Sequence, residues 1–156
     1  MCIRDRIAPA YQEFSPQQTP LERRENGTEI RVITGRTDHG TTGIVRNDHV
    51  HPTYLDVTLP AGTSFEQSVP ADDNAFLFVI DGEMAVGEQV STLARRTLGI
   101  LSPGARIAVS AGQGGARFLL VSAQPLGEPV ARGGPFVMNT KEEIMQAFND
   151  YQHNRF

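Results

Sequence analysis

Ala75-Phe76-Leu77-Phe78-Val79-Ile80-Asp81-Gly82-Glu83-Met84-Ala85-Val86 is the stretch on which the fold turns. It opens with six consecutive apolar residues, far short of a membrane span. A short apolar run bounded by turn residues reads as a β-strand buried on both faces. Asp81-Gly82 then reads as a tight hairpin turn, because glycine accepts the positive φ such a turn demands. Residues 83–86 read as the returning strand.

On either side the period stays close to two. Residues 29–34 (EIRVIT) place Ile30, Val32 and Thr34 on one face and Arg31 and Ile33 on the other. Residues 54–59 (YLDVTL) turn Leu55, Val57 and Leu59 inward, with Asp56 and Thr58 outward. Residues 64–69 repeat the pattern through Phe65, Gln67 and Val69. Residues 98–101, 106–110 and 117–122 are further predicted strands. Ser102-Pro103-Gly104 and Gly112-Gln113-Gly114-Gly115 read as the turns between them. Evenly spaced short strands predict a sandwich or a barrel. A Gly/Pro-rich stretch over 124–135 reads as an ordered surface loop. Thr140-Lys141-Glu142-Glu143 then forms a capping box, in which the Thr140 hydroxyl and the Glu143 carboxylate satisfy each other's backbone N–H. Ile144, Ala147, Phe148 and Tyr151 follow at helical spacing, so the chain ends in one amphipathic helix.

Composition narrows the function classes. The chain has 156 residues, 39% hydrophobic and 21% charged, which suits one globular domain. Fifteen glycines and ten prolines fit a turn-rich fold. A net charge of -4 argues against direct nucleic-acid binding, which calls for a basic face. One cysteine excludes an internal disulfide and a thiolate zinc site. With no signal and no apolar span, the expected compartment is the cytoplasm. Met1-Cys2-Ile3-Arg4-Asp5-Arg6 resembles a translated sequencing adaptor, so residues 1–6 are expected to be a non-native leader and Cys2 to carry no chemistry.

Each candidate site has a plainer reading. His49-Val50-His51 is the one His-x-His, a spacing that would turn both rings to one face of a strand. It sits in a turn-like stretch before a strand and reads as a solvated loop pair. His39 reads as a loop residue and His153 as the frayed end of the helix. Asp72-Asp73-Asn74 offers fewer oxygens than calcium needs and reads as a polar hairpin loop. Glu22-Arg23-Arg24-Glu25 reads as a solvated mixed-charge loop. Gly112-Gln113-Gly114 precedes no helix and so makes no phosphate cradle. No serine sits in a nucleophile elbow.

Three stretches together resemble the pirin family: Tyr54-Leu55-Asp56-Val57, the segment from Asn74-Ala75-Phe76 to Asp81-Gly82-Glu83, and Pro125-Leu126-Gly127-Glu128-Pro129-Val130. The tail is more specific still: Gly134-Pro135-Phe136-Val137-Met138-Asn139-Thr140, then Glu142-Glu143-Ile144, Ala147 and Asp150-Tyr151. Pro9-Ala10-Tyr11-Gln12 resembles the segment joining the two halves of a pirin. The resemblance covers residues 7–156 and lies within the family's C-terminal half. It implies an all-β fold: a single cupin barrel (a double-stranded β-helix, jelly-roll-like) over 29–123. A linker and first strand region would precede it over 7–28, and an ordered loop and one C-terminal α-helix would follow over 124–156.

The resemblance also implies a function. Pirins pair two cupin barrels face to face and are described as iron-binding, quercetin 2,3-dioxygenase-like proteins or as regulators of other proteins. The iron is expected in an N-terminal barrel absent from this chain, on three histidines and a glutamate. Laying the general cupin pattern on Gly82 as its closing glycine puts the glutamate position at Ala75 and the histidine positions at Ser68 and Pro70. Residues 104–111 supply no later histidine. No catalytic, cofactor-binding or metal residue is therefore expected here, and the chain alone is expected to have no activity. The expected partner is the N-terminal cupin half, and part of the apolar surface of residues 136–138 and the final helix should be exposed for it. The alternatives are a regulatory cupin that binds a protein partner without catalysis and a stand-alone cupin that binds a small molecule in its barrel mouth.

Overall fold

The computed structural model describes residues 11–46, 50–87 and 91–155. Two compact units result: a β-unit, Gln12–Pro125, and a smaller one built on the residues from Leu126 onward.

The β-unit runs β1 (Leu21–Arg23), β2 (Glu29–Thr34), β3 (Thr53–Leu59), β4 (Ser64–Ser68), β5 (Asn74–Val86), β6 (Ser91–Ala94), β7 (Leu98–Ile100) and β8 (Arg106–Ala123). β5 and β8 are its spine, paired antiparallel from Asn74 opposite Ala123 to Val86 opposite Val109. The first half of β5 and the last half of β8 carry β7 on one side and β3, β2 and β1 on the other. The remaining halves carry β6 and β4. Two layers thus share two bent strands and close on one core. Phe65 of β4 meets Phe118 of β8 edge to face, with ring centroids 5.9 Å apart. Each such ring contributes roughly 1.5–3 kcal/mol by leaving water.

Inward residues alternate as a strand requires: Ile30 and Val32, then Leu55, Val57 and Leu59, are all buried. In the long strands the alternation changes parity partway. β5 buries Ala75, Leu77 and Val79, then Met84; β8 buries Ile107, Val109 and Ala111, then Ala116, Phe118 and Leu120. A strand can change parity only through an extra residue, and the register shifts at Val79/Asp81 and at Gly82/Met84 supply it.

Three expectations are corrected here. Asp81-Gly82 is not a hairpin turn but a bulge inside one 13-residue strand. Gly112–Gly115 does not separate two strands; it is the kink in one 18-residue strand. In both places glycine provides the predicted freedom, and the two strands pair again on either side of the bend. Finally, residues 75–80 are buried on one face only, with Phe76 36% exposed on the other. An unbroken apolar run hides its own parity, because every residue looks equally fit for the core. β6 and the short strands of the second unit were not predicted.

That second unit is a hairpin, β9 (Ala131–Gly133) and β10 (Phe136–Met138), followed by α1 (Lys141–Gln152). β9 lies inside the stretch read as a loop. Phe136, Met138, Ile144 and Ala147 form a small core of their own. Phe136 meets Phe148 at 5.0 Å and Tyr151 at 6.1 Å between centroids. The capping box is as predicted: Glu143 N donates to Thr140 Oγ1 at 3.2 Å, and Thr140 N to Glu143 Oε2 at 3.1 Å.

Two substitutions test this description. Gly82 has φ +74°, and a Cβ there would stand 2.1 Å from the Gly115 carbonyl oxygen. Gly82→Ala adds left-handed strain to that overlap and should cost at least about 2 kcal/mol in urea unfolding. A loss under half of that would mean the bend relaxes freely. Thr140→Ala removes the cap and should cost about 1 kcal/mol, read as lost helicity at 222 nm on heating.

Candidate functional site

Among the described residues, no three His, Cys, Asp or Glu side chains are grouped to hold a metal. Cys2, the leader and His49 lie outside the described residues. His51 is exposed. His153 is also exposed, with Nδ1 2.7 Å from the Asn149 carbonyl oxygen at the end of α1. Asp73 accepts from the buried Ser122 hydroxyl at 2.5 Å and so ties the β4–β5 turn to β8. Ser68 and Pro70, where the cupin pattern placed histidines, are exposed. The inward positions on that strand are Phe65 and Gln67, followed by Val69, and across from them lie Met84 and Phe118. This interior offers thioether, amide and hydrocarbon, not the imidazole and carboxylate donors an iron centre needs, so the residues present do not fit that metal.

Polar chemistry gathers instead where the two layers fail to join. β1 ends one layer and β4 ends the other, with no backbone ladder between them. Val69 N donates to Ala105 O, so on β4 the neighbouring Ser68 N points away from β8, toward this seam. Side chains serve the free edge. Asn26 Nδ2 donates to Ser64 O at 3.1 Å, Arg24 Nη1 donates to Glu66 O at 3.3 Å, and Asp38 Oδ2 accepts from Ser68 N at 2.9 Å. An edge strand capped in this way is closed to pairing with another chain.

At the centre of the seam is Glu22, 8% exposed. It accepts from the Thr37 hydroxyl and, at 2.9 Å, from Arg24 Nε; His39 Nδ1 is 3.9 Å away. The Arg24 guanidinium lies over the Phe65 ring, 4.9 Å from its centroid. Burial alone would raise the Glu22 carboxyl. Its bonds from Thr37, Arg24 and Thr41, with the Arg24 charge, outweigh that and hold it below the ordinary glutamate value. Glu22-Arg23-Arg24-Glu25 is therefore not simply a solvated loop: Arg23 and Glu25 are exposed, while Glu22 and Arg24 face inward. The available signal was the two-residue spacing of Glu22 and Arg24, which puts them on one face of a strand.

The outer face of the β3–β8–β5–β7 sheet is the second feature. Val121 stands between Tyr54 and Phe76, and Phe76 is opposite Ile100. In the next row Phe78 stands between Leu119 and Leu98. Directly opposed residues share a face, so these seven side chains form one apolar patch. Phe76, Leu98 and Ile100 are 36%, 53% and 82% exposed. Beside the patch the same face turns charged, where Arg117 grips Asp56 through two bonds of 2.7 and 3.0 Å.

A two-layered antiparallel barrel wrapped around one apolar core, with long bent strands serving both layers, is a cupin jelly roll. Residues 54–156 match the family model for the pirin C-terminal cupin domain. The chain belongs to the pirin family. It is 45% identical over 150 residues to a pirin-like protein of Caulobacter vibrioides, covering 96% of this chain and 53% of that one. A pirin-like protein of Solanum lycopersicum is 39% identical, with 94% and 50% covered. Among solved structures, a quercetin 2,3-dioxygenase from Acinetobacter baumannii superposes with a TM-score of 0.84 at 32% identity, with 94% and 50% covered. The chain thus spans about half the length of the relatives it matches. No described helix is long and apolar enough to cross a membrane.

Glu22 carries a prediction. Glu22→Gln should cost about 1–3 kcal/mol at pH 7, the range for a buried hydrogen-bonded group that loses its charge. The folded carboxyl ionises below its unfolded value of about 4.3, so this stabilisation is full above that pH and is lost as pH falls through the lower folded value. Urea midpoints of wild type and variant should therefore converge in acid. A gap that persists to pH 2 would mean the carboxylate charge is not what stabilises the seam.

Proposed function

We propose that this chain serves as the C-terminal, non-catalytic cupin half of a pirin-like two-barrel protein. The apolar outer face of the β3–β8–β5–β7 sheet carries this reading. Its occupant is the other half of a relative-length pirin. The curated relatives are about twice as long as the matched region, and aromatic and aliphatic side chains standing in register suit a flat permanent contact better than water. The final helix is a second candidate contact, since Met145, Phe148 and Tyr151 are 73%, 38% and 65% exposed while Ile144 and Ala147 are buried. Any iron and any oxidation of a quercetin-like flavonol then belong to the other barrel, and this half contributes packing and stability.

The test is reassembly. The chain is mixed with the unmatched N-terminal half of the Caulobacter relative and passed over a sizing column. A one-to-one complex is expected, and Phe76→Asp with Ile100→Asp should abolish it while leaving the circular dichroism of the isolated chain unchanged. A complex that forms equally well with that double variant would move the contact elsewhere. Iron(II) and quercetin are then added to the reassembled pair. Oxygen uptake that stops with a chelator supports the dioxygenase reading; iron binding without turnover supports a regulator that binds a protein partner through its acidic surface.

A further inference from the structure

The hairpin that closes the seam is attached differently from the rest of the barrel. Its base is an ordinary ladder: Gly43 N donates to Gly35 O at 2.8 Å, and Arg36 bridges Thr42. Its tip is internally tight, with Thr37 N bonded to Thr41 O and Gly40 N to Thr37 O, each at 2.9 Å. Beyond that base, the tip is pinned by side chains at two clasps. One is Glu22 on β1, which takes the Thr37 hydroxyl. The other is Asp38, which takes Ser68 N, Ser68 Oγ and Gln67 Nε2 on β4 at 2.9, 3.2 and 3.2 Å. Gln67, 2% exposed, adds a 3.3 Å bond to Arg36 O.

We propose that residues 36–42 form a strap across the seam that opens as one unit while the β5–β8 spine stays paired. The tip's internal bonds survive such a motion, so only the clasps must break. The closed seam also leaves two polar atoms unmet among the described residues, Arg24 Nη2 and Thr28 Oγ1. Both belong to the β1–β2 hairpin that carries Glu22, on residues that face each other across it. Opening admits water to them and offsets part of the lost clasp bonding. The charges nearest the first clasp are paired without the strap and stay paired when it opens. Arg24 is bonded to Glu22, Arg23 to Glu29 and Arg106 to Glu66, and His39 Nδ1 of the strap stands 3.9 Å from Glu22.

Two adjacent amides of the β4 edge separate this motion from any other. Val69 N is held by Ala105 in the ladder, whereas Ser68 N is held by Asp38 on the strap. Hydrogen exchange followed by NMR on the full chain at pH 7 should show Ser68 exchanging at least 100-fold faster than Val69. Glu22→Gln should speed Ser68 a further 10-fold or more with Val69 unchanged, although Glu22 makes no bond to Ser68. Thr37→Val weakens the same clasp more gently, should act in the same direction, and serves if Glu22→Gln does not fold. Equal exchange of Ser68 and Val69 would overturn the proposal, since the edge would then open with the sheet. So would acceleration of Ser68 by Asp38→Asn but not by either change at the Glu22 clasp, because the two clasps would then be independent.

Discussion

Two α-carbons without side chains, Gly82 and Gly115, lie where β5 and β8 cross from one layer into the other. Both have positive φ; a Cβ on Gly82 would stand 2.1 Å from the Gly115 carbonyl oxygen, and one on Gly115 would stand 2.7 Å from the Leu59 carbonyl oxygen. The parity change in both strands follows from this crossing. So does the facing of Phe65 to Phe118, because each long strand has to present its inner face first to one layer and then to the other. Any side chain at either position would have to push backbone aside, so the crossing is kept close by the absence of a Cβ.

A fold that bends only two strands leaves β1, β4, β6 and β7 as edges. The β1/β4 edge meets a gap, which the chain fills with Asn26, Arg24, Asp38 and the buried Glu22. The outer face of β5 and β7 is apolar instead, with Phe76, Leu98 and Ile100 exposed. The two sides therefore differ: one is sealed from within by charge and amide, and the other keeps aromatic and aliphatic side chains at its surface. The Glu22 carboxylate can stay charged there because it has three hydrogen-bond donors around it, one of them the Arg24 guanidinium, enough to offset its removal from water.

Much of this could be read from residue order. Alternation in residues 29–34 and 54–59 identified inward faces correctly, and the capping box at Thr140 was visible from chemical type and spacing alone. The reading failed where local signals mean two things. Asp-Gly marks a hairpin or a bulge, and only the partner strand decides which; here the partner carries its own glycine run at the same level. The seam was hidden for another reason. Glu22 and Arg24 look like surface charges until a loop fifteen residues later supplies the Thr37 hydroxyl, and sequence does not show which distant hydroxyl will arrive. The apolar patch was partly visible, since the run at 75–80 announced burial but not that half of it would be outward.

The spine has a consequence for how the chain reaches this state. Asn74 has to find Ala123, and Val86 has to find Val109, before either long strand gains anything from bending. β4 then docks on one half of β8 and β3 on the other, while β1 and β2 add only to β3. Closing loops of that length before any contact repays them is an entropic toll, and non-local pairings of this kind place β-sandwich folding in the range of about milliseconds to seconds. Through that interval the apolar run at 75–80 waits without partners. The slow step of folding and the moment of greatest stickiness are thus set by the same two strands.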